Sequence, residues 1–210
     1  ITGSHFNDID KILDKLIKIK DMKSYYQTMI TEWNSDDNIM NFSNFETNEF
    51  NVFDEKYFLD SMMLNDFKTY LCDDILCKVD RSSMYYGLEV RAPYLMFELI
   101  EEAFSLPVNF KIKNNTTKRI LRDILKEYLP EKFIDKPKRG FSMPISSWMK
   151  NELRDWTNDY LSKSNNSKHG FFNQDVIDKI KDQHFSNTYN HEHKLWSIIQ
   201  FNSWYLNNYN

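Results

Sequence analysis

The sequence predicts a mainly α protein, and three observations carry the prediction. Apolar residues recur at three- and four-residue spacing through most of the chain, the period of a helix that buries one face. No segment sustains the apolar–polar alternation of a half-buried strand, and no internal repeat is visible. Aromatic residues make up 16% of the chain, ample material for a core and an argument against disorder. With 210 residues and no linker long enough to separate domains, one compact unit is expected.

The elements follow in order. Ile9, Ile12, Leu13, Leu16 and Ile17 define an amphipathic helix over 7–20, and a second helical pattern covers 22–33. The Asn-, Ser- and Asp-rich stretch 34–51 reads as a long loop. From 57 to 70 the stripe Phe58, Leu59, Met62, Met63, Phe67, Tyr70 and Leu71 reads as core material rather than a cofactor box. A further helix is expected over 73–86, opened by Asp73 and Asp74 through capping and the helix dipole and ended by Gly87. Pro93 opens the next helix, which carries Leu95, Leu99, Ile100, Ala103 and Phe104 and stops at Pro107. After a short extended stretch near 110–113, Thr116 or Thr117 caps a helix running to Leu129 and ended by Pro130. Two prolines and a glycine make 136–144 a loop with defined bends. Helices return over 145–149, 153–161, 174–184 and 191–206, with 162–169 as a surface loop.

Composition excludes several functions. A net charge of -4 opposes a phosphate-neutralising surface, so nucleic acid is not an expected partner. Cys72 and Cys77 match neither a disulfide framework nor a zinc or redox spacing and read as two reduced thiols on a buried helix. No apolar run reaches the length of a bilayer span and no secretory signal opens the chain, which makes a membrane partner unexpected and a cytoplasmic location the expectation. Gly3, Gly87, Gly140 and Gly170 are scattered, whereas a phosphate cradle needs clustered glycines so that backbone N–H groups can reach phosphate oxygens. A nucleotide here would meet side chains added to a cradle built elsewhere.

Two charged clusters stand out. Asp73, Asp74, Lys78, Asp80 and Arg81 lie on one helix, a pattern that a solvated face or an ion-pair lattice also explains. Lys136, Lys138 and Arg139 lie in the proline-bounded loop, where a conformationally fixed cation can be aimed at a phosphate. Glu89 and Arg91 flank Val90, and an ion pair ordering the turn before Pro93 is expected. His184, His191 and His193 lack the spacing of a metal site, and no serine or cysteine has the setting of a hydrolase nucleophile.

The run YLCDDILCKVDRSSM over 70–84, followed by LEVRAPYL over 88–95, resembles the asparagine synthetase family of glutamine amidotransferases. KPKRGF over 136–141, MPI over 143–145, Trp148 and the tail 191–204 with Leu195 and Trp196 extend the resemblance in the family's order, and 23–33 fits as well. The resemblance implies the helical C-terminal portion of an adenine-nucleotide-α-hydrolase-like (ATP pyrophosphatase) synthetase domain across 1–210, lacking most of its parallel sheet. It also implies absent parts: an N-terminal glutaminase domain and a pyrophosphate-loop, nucleotide-binding half, with 1–5 resembling the sequence that follows the second glycine-rich motif. The implied reaction takes ATP, Mg2+, aspartate and glutamine to asparagine, AMP, pyrophosphate and glutamate, and the chain alone is expected to bind neither ATP nor Mg2+ and to be inactive. By resemblance Lys138 is the catalytic lysine that reaches into the synthetase site, and Asp74, Asp80, Arg81 and Arg91 bind substrate or order the site. Tyr94-Leu95-Met96 departs from the family's Phe-Leu-Asp, which bears on local ion pairing and on which carboxylate is activated; a different carboxylate, or a non-catalytic helical module, is the alternative. Helices that cover one side of a sheet are expected to leave an apolar patch exposed, which a homodimer can hide.

Overall fold

The computed structural model describes residues 13, 15–42, 53–134 and 143–209. Helices dominate, and among the described residues the sole sheet is a two-stranded hairpin. No helix of the described residues is long and apolar enough to cross a membrane. The contacts gather into two compact units, 1–47 with 141–210, and 48–140, which corrects the expectation of one.

The first unit holds the core. Leu195, Ile198, Ile199 and Asn202 recur at helical spacing on Glu192–Asn208, and Ile177, Ile180 and His184 do so on Gln174–Phe185, so each helix buries one stripe. Met149 from Ile145–Lys150 and Leu161 after Arg154–Tyr160 complete the cluster, with Trp33, Ile39, Trp156 and Phe172 packed against it. The N-terminal segment joins this core through backbone bonds from Asn173 N to Ile39 O (2.7 Å) and Asn41 N to Phe171 O (2.9 Å). Trp33 Nε1 adds a bond to Ser197 Oγ (2.9 Å). Buried Asn202 is satisfied on both sides, its Nδ2 donating to Tyr160 O (2.7 Å) and its Oδ1 facing His169 Nε2 (2.9 Å). Met22–Ile30 is capped by Asp21, whose carboxylate accepts the Ser24 N–H in a capping box. That bond holds the Asp21 carboxyl below its ordinary pKa.

The expected loop at 162–169 contains a short helix, Lys163–Ser167, started by the Ser162 hydroxyl accepting from Asn165 N. Asn166 is buried there and ties to Phe172 O and Gln174 Oε1, so a polar composition concealed an internal bracket. Residues 7–12 and 14 of the helix expected over 7–20, and residues 43–51 of the expected loop, lie outside the described residues.

The second unit is built from Phe58–Lys68, Tyr70–Leu76, Cys77–Met84, Phe97–Ser105, Val108–Lys111, Arg119–Leu125 and Glu131–Ile134. Its buried residues among those described are Ser61 and Asn65, both polar. The Met and aromatic stripe expected to be core is only half-buried, and Tyr70 is exposed. Cys72 is exposed and Cys77 half-buried, which corrects the reading of two thiols on a buried helix. An internal pair joins Lys111 Nζ to Asp60 Oδ1 (2.8 Å), with Lys111 also bonded to Phe104 O (3.3 Å).

Thr116 and Thr117 cap no helix; they pair with Lys113 and Ile112 as the second strand of the hairpin. Asn114 and Asn115 both have positive φ, 50° and 59°, the backbone of a two-residue turn matched to strand twist. Lys118, also left-handed at φ 55°, takes the cap position of Arg119–Leu125, and the expected continuation to Leu129 is replaced by turns.

Candidate functional site

The candidate site lies along the Tyr70–Met84 run and the turn after it. Asp73 and Asp74 do not open a helix. They sit inside Tyr70–Leu76, a seven-residue π-helix between two α-helices, which corrects the expected N-terminus at Asp73. Such segments occur disproportionately at functional sites because they set side chains out of α register. Asp74 faces Lys78 across one turn (Oδ1–Nζ 3.6 Å), with both side chains more than half exposed. Asp80 and Arg81 are exposed on Cys77–Met84; the Asp80 carbonyl accepts from Ser83 Oγ (3.1 Å) and the Arg81 carbonyl from Tyr85 N (3.1 Å).

Gly87 ends this helix as expected, at φ +69°, with its N–H on Met84 O (3.0 Å) and Leu88 N–H on Ser83 O (3.0 Å). Glu89 and Arg91 then form the expected ion pair, exposed on both sides. Pro93 opens only a single 3₁₀ turn, Pro93–Leu95, and Met96 in extended backbone separates it from Phe97–Ser105, which corrects the expectation that Pro93 opens the helix itself. An apolar groove of about 340 Å3 opens beside Tyr70, lined by Met63, Asp66, Phe67, Tyr94 and Ile100 among others. The four charged candidates Asp74, Asp80, Arg81 and Arg91 line the exposed outer surface instead of that groove. Lys138, with the rest of the 136–141 motif, lies outside the described residues.

The first unit has a polar cavity of about 580 Å3 that sequence reasoning missed, lined by Lys18, Glu32, Asp37, His191, Glu192 and Lys194 among others. Lys194 Nζ pairs with Asp37 Oδ2 (2.7 Å) and stands 4.9 Å from the Trp33 ring centre. The only signal was the adjacency of Trp33 to a polar stretch, and nothing local ties Asp37 to a lysine 157 residues away. The histidines nearby are committed to structure: His184 Nδ1 accepts from His191 N (3.1 Å), His191 Nε2 faces Gln183 Oε1 (2.8 Å), and His193 stands 3.6 Å from Glu192. Among the described residues no group of three or more His, Cys, Asp or Glu gathers as a metal site would require.

The asparagine synthase family model matches residues 7–206. The chain belongs to the asparagine synthase family. It is similar to asparagine synthetase [glutamine-hydrolyzing] 1 of Bacillus subtilis, 29% identical over 147 residues that make up 70% of this chain and 23% of that protein. Asparagine synthetase [glutamine-hydrolyzing] 3 of the same organism is 25% identical over 51% of this chain and 17% of its own length. The mouse asparagine synthetase [glutamine-hydrolyzing] is 34% identical over 44% of this chain and 16% of its own length. The matched part thus spans less than a quarter of these asparagine synthetases. No solved structure matches the chain. Membership in the asparagine synthase family agrees with the resemblance read from 70–95 and 136–148, and it places the chain in a family of ligases.

Proposed function

We propose that this chain forms the helical C-terminal portion of the synthetase domain of a glutamine-dependent asparagine synthetase, a domain of the adenine-nucleotide-α-hydrolase-like class. The observation that supports it most is the extent of the family match, 7–206 of 210 residues, which takes in both the charged helix and the KPKRGF motif. Exposed apolar side chains in the second unit add support: Tyr85 is 81% exposed, Tyr86 77% and Phe97 68%, values that suit a face covered by another part of a larger protein.

In the proposed reaction the side-chain carboxylate of aspartate attacks the α-phosphorus of ATP, pyrophosphate leaves, and ammonia released from glutamine displaces AMP from the acyl carbon. Negative charge grows on phosphate and acyl oxygens, and a fixed cation offsets it. Lys138 fills that role. Asp74, Asp80, Arg81 and Arg91 border the site and bind substrate or hold its charges in register. The described residues do not by themselves fit a nucleotide or magnesium site: their glycines, Gly87 and Gly170, are single left-handed positions far apart in sequence, and no acidic group of three gathers. On this reading ATP and Mg2+ belong to the nucleotide-binding part of the larger protein, and ammonia to its glutaminase part. The chain alone is inactive on this reading, and a cytoplasmic location goes with it.

Pyrophosphate release from ATP, dependent on aspartate, tests the proposal in the parent protein. The wild type is expected to be active, Lys138→Ala to fall by about 100-fold or more, in line with removal of one transition-state donor, and the 210-residue chain to be silent. Release with another carboxylate but not aspartate reassigns the substrate, an outcome that Tyr94-Leu95-Met96 in place of Phe-Leu-Asp keeps open. Silence with every acid overturns the enzyme reading in favour of a non-catalytic helical module.

A further inference from the structure

The helical run from Phe58 to Met84 changes hydrogen-bond register part-way. Phe58–Lys68 and Cys77–Met84 are α-helical, while Tyr70–Leu76 between them is π-helical and buries none of its residues. A π-ladder is rare, and it persists where something holds an extra residue in the turn. A chain of side-chain bonds leads up to the change. Asp54 N donates to Ser61 Oγ (3.0 Å), Asn65 Nδ2 to Ser61 O (2.9 Å) and Thr69 Oγ1 to Asn65 O (2.8 Å). Ser61 and Asn65 are the buried members, so this polar ladder pins Phe58–Lys68. The bonds from Asn65 and Thr69 each draw on a carbonyl that the helix also uses, and such back-bonding bends a helix. Thr69 stands at the junction with φ -114° and ψ -77°, and beyond it the Cys72 thiol donates to Phe67 O five residues back (3.3 Å).

We infer that Tyr70–Leu76 is a register switch, interconverting between π and α bonding while Phe58–Lys68 stays fixed. Relaxation to α passes one residue of register downstream, turning Cys77–Met84 by about 100° and shifting it by about 1.5 Å. Asp80 and Arg81 ride on that helix, so a ligand that engages them in one setting selects one register. This consequence rests on their proposed place at the synthetase site; the switch itself does not.

Amide hydrogen exchange on the full 210-residue chain tests the switch without any activity readout. Amides of 70–76 are expected to exchange about 100-fold faster than those of Phe58–Lys68, because their ladder opens locally. Deletion of Asp73, which is exposed and leaves the Asp74–Lys78 pair intact, removes the surplus residue; exchange at 70–76 then falls to within about threefold of the flanking helix. Thr69→Val keeps the chain length and removes only the competing hydroxyl, and serves if the deletion fails to fold; it slows exchange in the same direction. Protection of 70–76 equal to that of Phe58–Lys68 in the wild type, or exchange unchanged in the folded variants, overturns the inference.

Discussion

Two carboxylate–lysine pairs show how setting decides what a charge contributes. Lys194 and Asp37 meet at 2.7 Å with side chains only 17% and 26% exposed, and the ammonium also lies over Trp33. Asp74 and Lys78 meet at 3.6 Å on an open helix face. Removing one partner of a shielded pair strands the other with its desolvation unrepaid, whereas an exposed pair returns to water. Asp37→Ala is therefore expected to lower stability by about 1–3 kcal/mol in urea unfolding. Asp74→Ala is expected to stay within about 0.5 kcal/mol. Equal effects of the two would show that the Lys194 contact is not anchoring the N-terminal segment. A low structural cost at Asp74 is what allows a functional role there to be measured cleanly.

At the scale of elements, punctuation residues were the most legible part of the chain. Gly87 ends its helix in the left-handed region with open space where a Cβ would stand, so only the backbone requires glycine there. Gly87→Ala is expected to cost about 1–2 kcal/mol, the penalty of a side chain at positive φ, read from thermal melts followed by circular dichroism. The 174–184 stripe and the Glu89–Arg91 pair were likewise readable from local pattern. The misreadings have a common cause in choices that local propensity leaves balanced. Asn114 and Asn115 carry the left-handed turn that makes Thr116 and Thr117 strand residues, and threonine suits a cap and a strand equally. The π-register at 70–76 shifts hydrogen bonds by one residue without changing the apolar spacing, so periodicity could not announce it. Of the proposed site, Lys138 rests on the KPKRGF motif alone, while the Lys194–Asp37–Trp33 cluster depends on contacts between distant segments.

For the molecule as a whole, the two units differ in how they use apolar residues. The first buries Leu195, Ile198, Ile199, Ile177 and Met149, and the second leaves Tyr85, Tyr86, Leu88, Tyr94 and Phe97 more than half exposed. The folded 210-residue chain is accordingly expected to enhance the fluorescence of an apolar dye and to self-associate as concentration rises in sedimentation velocity. Tyr85→Ser with Leu88→Ser should weaken both signals; a monomer indifferent to the dye would mean that the apolar residues are too scattered to act as a surface. The bonds between 39–41 and 170–173 have a different consequence, in time rather than in space. During synthesis 13–42 leaves the ribosome ahead of what it packs against, which is translated more than a hundred residues later, after the whole of 48–140. Closing a span of 129 residues carries an entropic cost on the order of 4 kcal/mol. That segment must therefore wait for its partner, and the inserted unit has its chance to fold, or to meet a chaperone, before the core that brackets it exists.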